Sequence, residues 1–238
     1  MTAELQQQLC EWAKAYHQSQ FIADDPVQFP NRYRGGHKED IEISGLLTAI
    51  LSFGNRKMIL RKADELDELM GHAPLRYVLS RQWTEDFPSD DISSFYRMVS
   101  YASFRGYFER LYPVYSAGNT LEDALMAYNG SPMQRLCAFL GVSDRSPQKK
   151  LNMYLRWMVR QSSPVDFGIW TRMSPSELII PLDTHVCRMA YQLGLTASQT
   201  FSLHNARIIT EALGELFPGD PCYGDFALFG YGVNHKDE

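Results

Sequence analysis

The chain has 238 residues, 45% hydrophobic and 21% charged, with 23 Lys and Arg against 28 Asp and Glu, a balance typical of globular rather than disordered or fibrous proteins. It contains no run of about 18 uncharged apolar residues, which excludes a spanning helix, and its start, Met1 to Gln8, lacks the basic and apolar segments of a secretory signal. A cytoplasmic location is expected, and Cys10, Cys137, Cys187 and Cys222, far apart and outside any C-x-x-C spacing, read as reduced, mostly buried thiols.

Apolar residues recur at three and four spacing throughout, whereas alternating Val/Ile/Thr runs are nearly absent, so the expected fold class is all-α. The first helix covers about 2–19, followed by an irregular loop punctuated by Pro26, Pro30, Gly35 and Gly36. Residues 41–53 are apolar on nearly all sides, as in a helix at the middle of a bundle, and Gly54-Asn55 ends it. An amphipathic helix follows over 56–70, with others predicted at about 74–82, 91–101, 103–115, 120–128 and 132–140. Gly141 to Pro147 forms a turn-rich hairpin. Pro147 then suits the first turn of a largely buried helix running to about 161, because its missing N–H has no partner there anyway. Asp183 stands where an N-cap belongs, before a helix that Gly194 stops. The last helices fall at about 202–216 and 222–232.

The net charge of −5 is unevenly spread. Residues 134–188 hold eight Arg and Lys against four Asp and Glu. A basic segment within an acidic protein fits an anionic partner at one face, and a solvated helix surface has the same composition.

Pro181-Leu-Asp-Thr-His-Val-Cys-Arg-Met189 resembles the Asp-Thr-His segment around the essential aspartate of the helix-hairpin-helix DNA glycosylase superfamily, the endonuclease III-like base-excision enzymes. Gly45 to Ser52 is similar to the early helix leading into that family's DNA-probing loop, and Gln148 to Met158 to the helix after the hairpin, whose early lysine is the nucleophile in bifunctional members. The likeness spans about 40–232. The usual hairpin of Leu-Pro-Gly-Val-Gly type is here Leu140 to Pro147 with one glycine, and Lys149 precedes Asp183 by 34 residues. That gap is longer than in endonuclease III and closer in layout to the archaeal 8-oxoguanine glycosylase branch. Losing the glycines weakens the expected phosphate and cation contact, which depends on close backbone approach. No iron–sulfur cluster is expected, since four closely spaced C-terminal cysteines are needed and only Cys222 is there. No other cofactor is expected, and His185 with Cys187 lacks the further ligands of a metal site.

The resemblance implies a two-lobed helical fold with a variant helix-hairpin-helix at about 132–161. One lobe would span 45–182, the other would join 1–44 to 183–238, and Asp183 would sit near the cleft. The implied activity is excision of a damaged purine such as 8-oxoguanine from double-stranded DNA, with abasic-site lyase chemistry. Asp183 would stabilise the positive charge that develops on the sugar as the glycosidic bond breaks. A lysine nucleophile must lose its proton; burial, a neighbouring cation and a helix N-terminus all favour that loss. Lys149, beside Lys150 at a helix start, is favoured over Lys150 for this role. Phe53, Asn55 and Arg56 would occupy the probing loop, and Trp170, Phe229 and Tyr231 would offer faces to the extruded base. Arg32, Arg34, Arg145 and Arg188 would meet phosphates.

Each residue also has a plainer role: Asp183 as a cap, His185 as a structural hydrogen-bonding group, the lysines as solvated charges, the aromatics as core. A non-catalytic nucleic-acid-binding protein of the same fold would bind duplex salt-sensitively without a trapped adduct. An all-helical protein with a non-DNA ligand would bind duplex weakly even at low salt.

Overall fold

Residues 41–51, eleven in a row, are buried on helix α3 (Lys38–Leu51), so this helix has no solvent face and other elements wrap it, as its all-round apolar sequence predicts. The computed structural model describes residues 1–234, with side chains to residue 232. No described helix is long and apolar enough to cross a membrane. The architecture is all-α apart from one two-stranded hairpin among the described residues. The chain forms two compact units, a central one of residues 25–129 and 138–142 and a terminal one of 1–24, 130–137 and 143–238.

In the central unit α2 (Gln28–Asn31), α4 (Arg56–Leu69), α5 (Pro74–Ser80) and α7 (Tyr101–Ser116) pack on α3, with α6 (Trp83–Asp86) against α5 and α7 and α8 (Leu121–Leu125) against α7. A charge at the heart of this packing, Glu42, is satisfied by the Tyr115 hydroxyl at 3.0 Å and the Leu121 amide at 2.9 Å. Phe87, Phe95, Phe104 and Phe108 form a buried aromatic cluster, with ring centroids 4.7–5.8 Å apart in tilted and edge-on pairs.

The helix expected at 91–101 is instead the hairpin β1 (Ser94–Tyr96) and β2 (Val99–Ser100), followed by α7. Short polar side chains here offer the backbone partners that compete with a helix: Asp91 accepts from the Ser93 amide at 2.8 Å, and Ser94 donates to the Arg97 carbonyl at 2.6 Å. Phe95 and Tyr96 face the core, while Ile92 and Met98 are 88% and 85% exposed, so their apolar spacing marks no buried stripe. The irregular loop expected from the end of the first helix to His37 contains a 3₁₀ turn (Ser19–Asp24) and the short α2, whose Phe29 and Pro30 are buried.

The terminal unit comprises α1 (Ala3–Tyr16), a 3₁₀ turn (Ser19–Asp24), the first part of α9 (Pro132–Leu140), α10 (Lys149–Val159), α11 (Thr184–Gln192), α12 (Leu203–Leu216) and α13 (Tyr223–Asn234). Packing of α13 against α1 and α11 dominates it. The glycines in Tyr-Gly-Asp-Phe-Ala-Leu-Phe-Gly-Tyr-Gly are close-approach points: a Cβ at Gly230 would lie 2.2 Å from Tyr16 Cγ on α1, and one at Gly224 2.6 Å from Leu213 on α12.

The division of the chain differs from the expected boundaries at 44/45 and 182/183. Residues 25–44 belong with the central unit because α3 is its core, and 143–182 join the chain ends because arginines of α10 pair with aspartates near α13. Helix α10 begins at Lys149 rather than Pro147, since Gln148 adopts a left-handed conformation with φ 46°.

Candidate functional site

Helix α10 presents Lys149, Asn152 and Arg156 at three and four spacing, hence on one face, and its C-cap Arg160 continues that spacing. Its other faces carry buried Leu151, Tyr154, Leu155 and Trp157, so burial of the helix draws the two arginines inside as well, to 5% and 2% exposure. Cations so placed need partners. Arg156 donates from Nη1 to Asp225 Oδ2 at 2.5 Å and from Nε to Asp166 Oδ1 at 3.3 Å. Arg160 pairs with the other Asp166 oxygen and with Asp220 at 2.8 Å. The Phe226 ring lies below both guanidinium groups, 4.5 and 5.3 Å from its centroid.

Asp166 reaches this network through a loop that folds back on the end of α10. Phe167 and Trp170 amides donate to the carbonyls of Trp157 at 2.7 Å and Met158 at 2.9 Å. Gly168 makes the return possible: its φ is 58°, and a Cβ would meet the Arg160 carbonyl oxygen at 2.8 Å. Ser163 donates to Asp166 Oδ2 at 3.2 Å, and its hydroxyl also bonds the His17 ring at 2.7 Å. Burial and then the Arg160 charge hold His17 down at about 4, so the ring is neutral near pH 7.

Three aspartates share two arginines, and Asp225 carries the imbalance. Only 3% exposed, it has one oxygen, Oδ1, without a hydrogen-bond partner among the described residues. Burial first, with the negative charge of Asp183 adding, pushes its carboxyl up to about 6 against the opposing pull of Arg156 and Lys149. Asp183 and Lys149, 34 positions apart in the chain, therefore both lie within electrostatic reach of the same buried carboxyl. Asn152, between Lys149 and Arg156 on the α10 face, holds the Pro147 carbonyl at 2.8 Å while its own Oδ1 is buried and has no hydrogen-bond partner among the described residues.

Asp183 caps α11 as expected, its Oδ1 accepting the His185 and Val186 amides, each at 2.9 Å. Both lysines are partly buried at the α10 start. Burial, then the charge of Lys149, lowers the proton affinity of Lys150. The Gln148 side chain does not cap α10 but donates to the Ser143 carbonyl.

Other expected residues take different places. Trp170 is wholly buried, edge-on to Tyr154 at 5.5 Å, and has no face for a stacked base. Tyr231 is half-buried with one face stacked on Trp12 at 3.9 Å, and Phe229 is half-buried beside Phe21. Arg145 is exposed, and Arg188 is half-buried with an Nε that has no hydrogen-bond partner among the described residues.

In the central unit Asn55 is spent as the cap of α4, accepting the Lys57 amide at 3.0 Å. Half-buried Phe53 packs edge-on to Tyr96, whose hydroxyl donates to the Phe53 carbonyl at 2.9 Å, and Arg56 is exposed. Arg32 is not free for phosphate: it pairs with Asp64 at 2.7 Å and with buried Asp67 at 2.6 Å, an acceptor shared with Tyr33 and His72. Arg34 is exposed and donates to Asn31.

Sequence reasoning missed Arg156, Arg160, Asp166 and Asp225. The signal present was an arginine pair four apart at the end of a helix whose last two turns are otherwise apolar, a spacing that puts both on one side and demands buried acceptors.

Neither a curated protein nor a solved structure matches the chain significantly. A family described as "Protein of unknown function (DUF2400)" is matched over residues 25–140 and 131–234. That span takes in both compact units, α3, the α10 arginine face, Asp183 and Asp225, and by it the chain belongs to the DUF2400 family.

Proposed function

We propose that this protein is a DNA base-excision enzyme of helix-hairpin-helix glycosylase type, acting as an N-glycosylase and abasic-site lyase on double-stranded DNA with a damaged purine. What carries the reading is that the Asp183 anion and the Lys149 cation both act electrostatically on one buried carboxyl, Asp225. Cleaving an N-glycosidic bond needs a fixed anion beside the developing oxocarbenium ion and an amine able to lose its proton. Asp183 supplies the anion, held in place by two backbone amides, and the α10 start supplies two adjacent amines. Lys149 shares its face with Asn152 and Arg156 and so is the nucleophile in this reading, with Lys150 as the adjacent cation.

The Phe53–Arg56 turn, beside a hairpin that exposes Met98, is the duplex-probing element of this proposal. The cytoplasm is its compartment, in keeping with four free, widely spaced thiols.

The test is borohydride trapping on duplexes carrying 8-oxoguanine or an abasic site, with the wild type and with Lys149→Ala, Lys150→Ala and Asp183→Asn. A covalent adduct lost with Lys149→Ala and kept with Lys150→Ala supports the proposal. Absence of an adduct on every duplex, together with salt-sensitive binding, points instead to a non-catalytic DNA-binding protein.

A further inference from the structure

A buried carboxylate with one oxygen fixed and the other unpartnered is a proton acceptor in search of a donor, since leaving such an oxygen unsatisfied is costly. Asp225 has this arrangement in the first turn of α13: Oδ2 is held by Arg156 Nη1 at 2.5 Å, and Oδ1 bonds nothing among the described residues. Arg156 lies two turns after Lys149 on the same face of α10, about 10 Å along the axis. Side chains on a helix lean toward its N-terminus, which inclines the Arg156 side chain toward the turn that precedes it, the Lys149 side.

The groups facing Asp225 are few. From α10 come Arg156 and Lys149, from the α11 cap Asp183, and from its own element's approach the buried Cys222 thiol. Behind Arg156 stand Asp166, Arg160, Asp220 and neutral His17. Among them Lys149 is the one titratable amine.

Resting on the reading above, we propose that Asp225 is the proton acceptor that converts the Lys149 ammonium into the attacking amine. The N–H bond breaks with its electron pair remaining on Nζ, and the proton forms an O–H bond at Asp225 Oδ1. Nζ then adds to the aldehyde carbon of an abasic sugar, whose oxygen takes up a proton from the nitrogen to give a carbinolamine. The Asp225 proton returns to that hydroxyl, which leaves as water. The products are a protonated Schiff base, water and the regenerated carboxylate, so the step needs no outside reagent. Asp183 keeps its separate task as the fixed charge. A carboxyl that titrates near 6 is well matched to the exchange, because an acceptor works best close to the operating pH.

The experiment measures the borohydride-trapping rate on an abasic-site duplex from pH 5 to 9.5. For the wild type the rate should fall below about pH 6, as Asp225 takes a proton from solvent and can no longer accept one. Asp225→Asn should be trapped about a hundredfold more slowly at pH 6.5, with the gap closing to under about threefold at pH 9.5, where hydroxide can accept the proton in place of Asp225. Asp225→Glu, which keeps the carboxylate, should recover much of the neutral-pH rate. A structural role would lower the rate by a constant factor at every pH, and that outcome, or an unchanged profile in Asp225→Asn, overturns the assignment. Should Asp225→Asn fail to fold, a wild-type profile with no inflection between pH 5 and 7 overturns it equally. If the wild type gives no adduct at any pH, the glycosylase reading fails and this inference with it; an adduct with a profile indifferent to Asp225 removes the inference alone.

Discussion

Arg156 and Asp225, 69 residues apart in sequence, meet at 2.5 Å between α10 and α13 with both side chains at most 5% exposed. A desolvated pair of this kind contributes little net stability over an apolar substitute, yet removing one partner leaves an uncompensated charge in the core. Arg156→Met, which strands Asp225 and half of Asp166, should lower the unfolding free energy by about 3–5 kcal/mol, read as a fall in the urea midpoint.

The pH dependence of stability carries two opposed contributions. Asp225 is raised from 3.8 to about 6 in the folded protein, so it binds a proton there more tightly than in the unfolded chain. Its stabilising contribution is full below about pH 4 and lost as pH rises through 6. His17 is lowered from 6.5 to about 4, so its contribution is full above 6.5 and lost as pH falls toward 4. Between pH 4 and 6 the two slopes oppose each other. Replacing His17 by Asn should therefore leave stability falling with rising pH over that interval, by up to about 1.4 kcal/mol per pH unit. Asp225→Asn should leave it rising. Urea unfolding at pH 4, 5 and 6 measures both signs, and an unchanged pH profile in both variants would contradict the burial assigned to these groups.

Two glycine-to-alanine changes in helices should act with opposite sign. At Gly230 a methyl would sit 2.2 Å from Tyr16 Cγ, so α1 and α13 must separate, and the loss should be about 1–3 kcal/mol despite alanine's better helix propensity. At Gly106 on α7 a Cβ meets nothing within 4 Å, so Gly106→Ala should stabilise by about 0.5–1 kcal/mol. Thermal melts of the two variants give the comparison.

Asp183 holds a structural and a proposed chemical role that substitution can separate. Asparagine caps a helix about as well as aspartate, so Asp183→Asn should melt near the wild type while losing at least about a hundredfold in trapping rate. Asp183→Ala should lose the cap too, about 0.5–2 kcal/mol. An Asn variant that traps at the wild-type rate would confine Asp183 to capping.

Most helices were legible because their signals are local. Asp183 before Thr-His-Val-Cys, the apolar stretch after Lys38 and the Gly-Asn break before α4 each act within a turn or two, and the elements fall within a few residues of the expected bounds. Legibility failed at 91–101, where Asp91, Ser93 and Ser94 bond the backbone locally and override an apolar spacing that helices also use. It failed again at Trp170 and Arg32. Aromatic and cationic residues suit an interface and a core or ion pair equally well, and neighbouring sequence says nothing about which surroundings they meet.

Sequence alone determined the all-α class, the buried α3 and the cap at Asp183, since propensity, periodicity and capping are properties of adjacent residues. Tertiary structure decided which charges are shared. Only when α10 packs near α13 does Arg156 find Asp225, and only burial there, with one oxygen unpaired among the described residues, raises the proton affinity of Asp225. Burial and long-range charge pairing depend on what the folded chain excludes from water, which no stretch of residues specifies by itself.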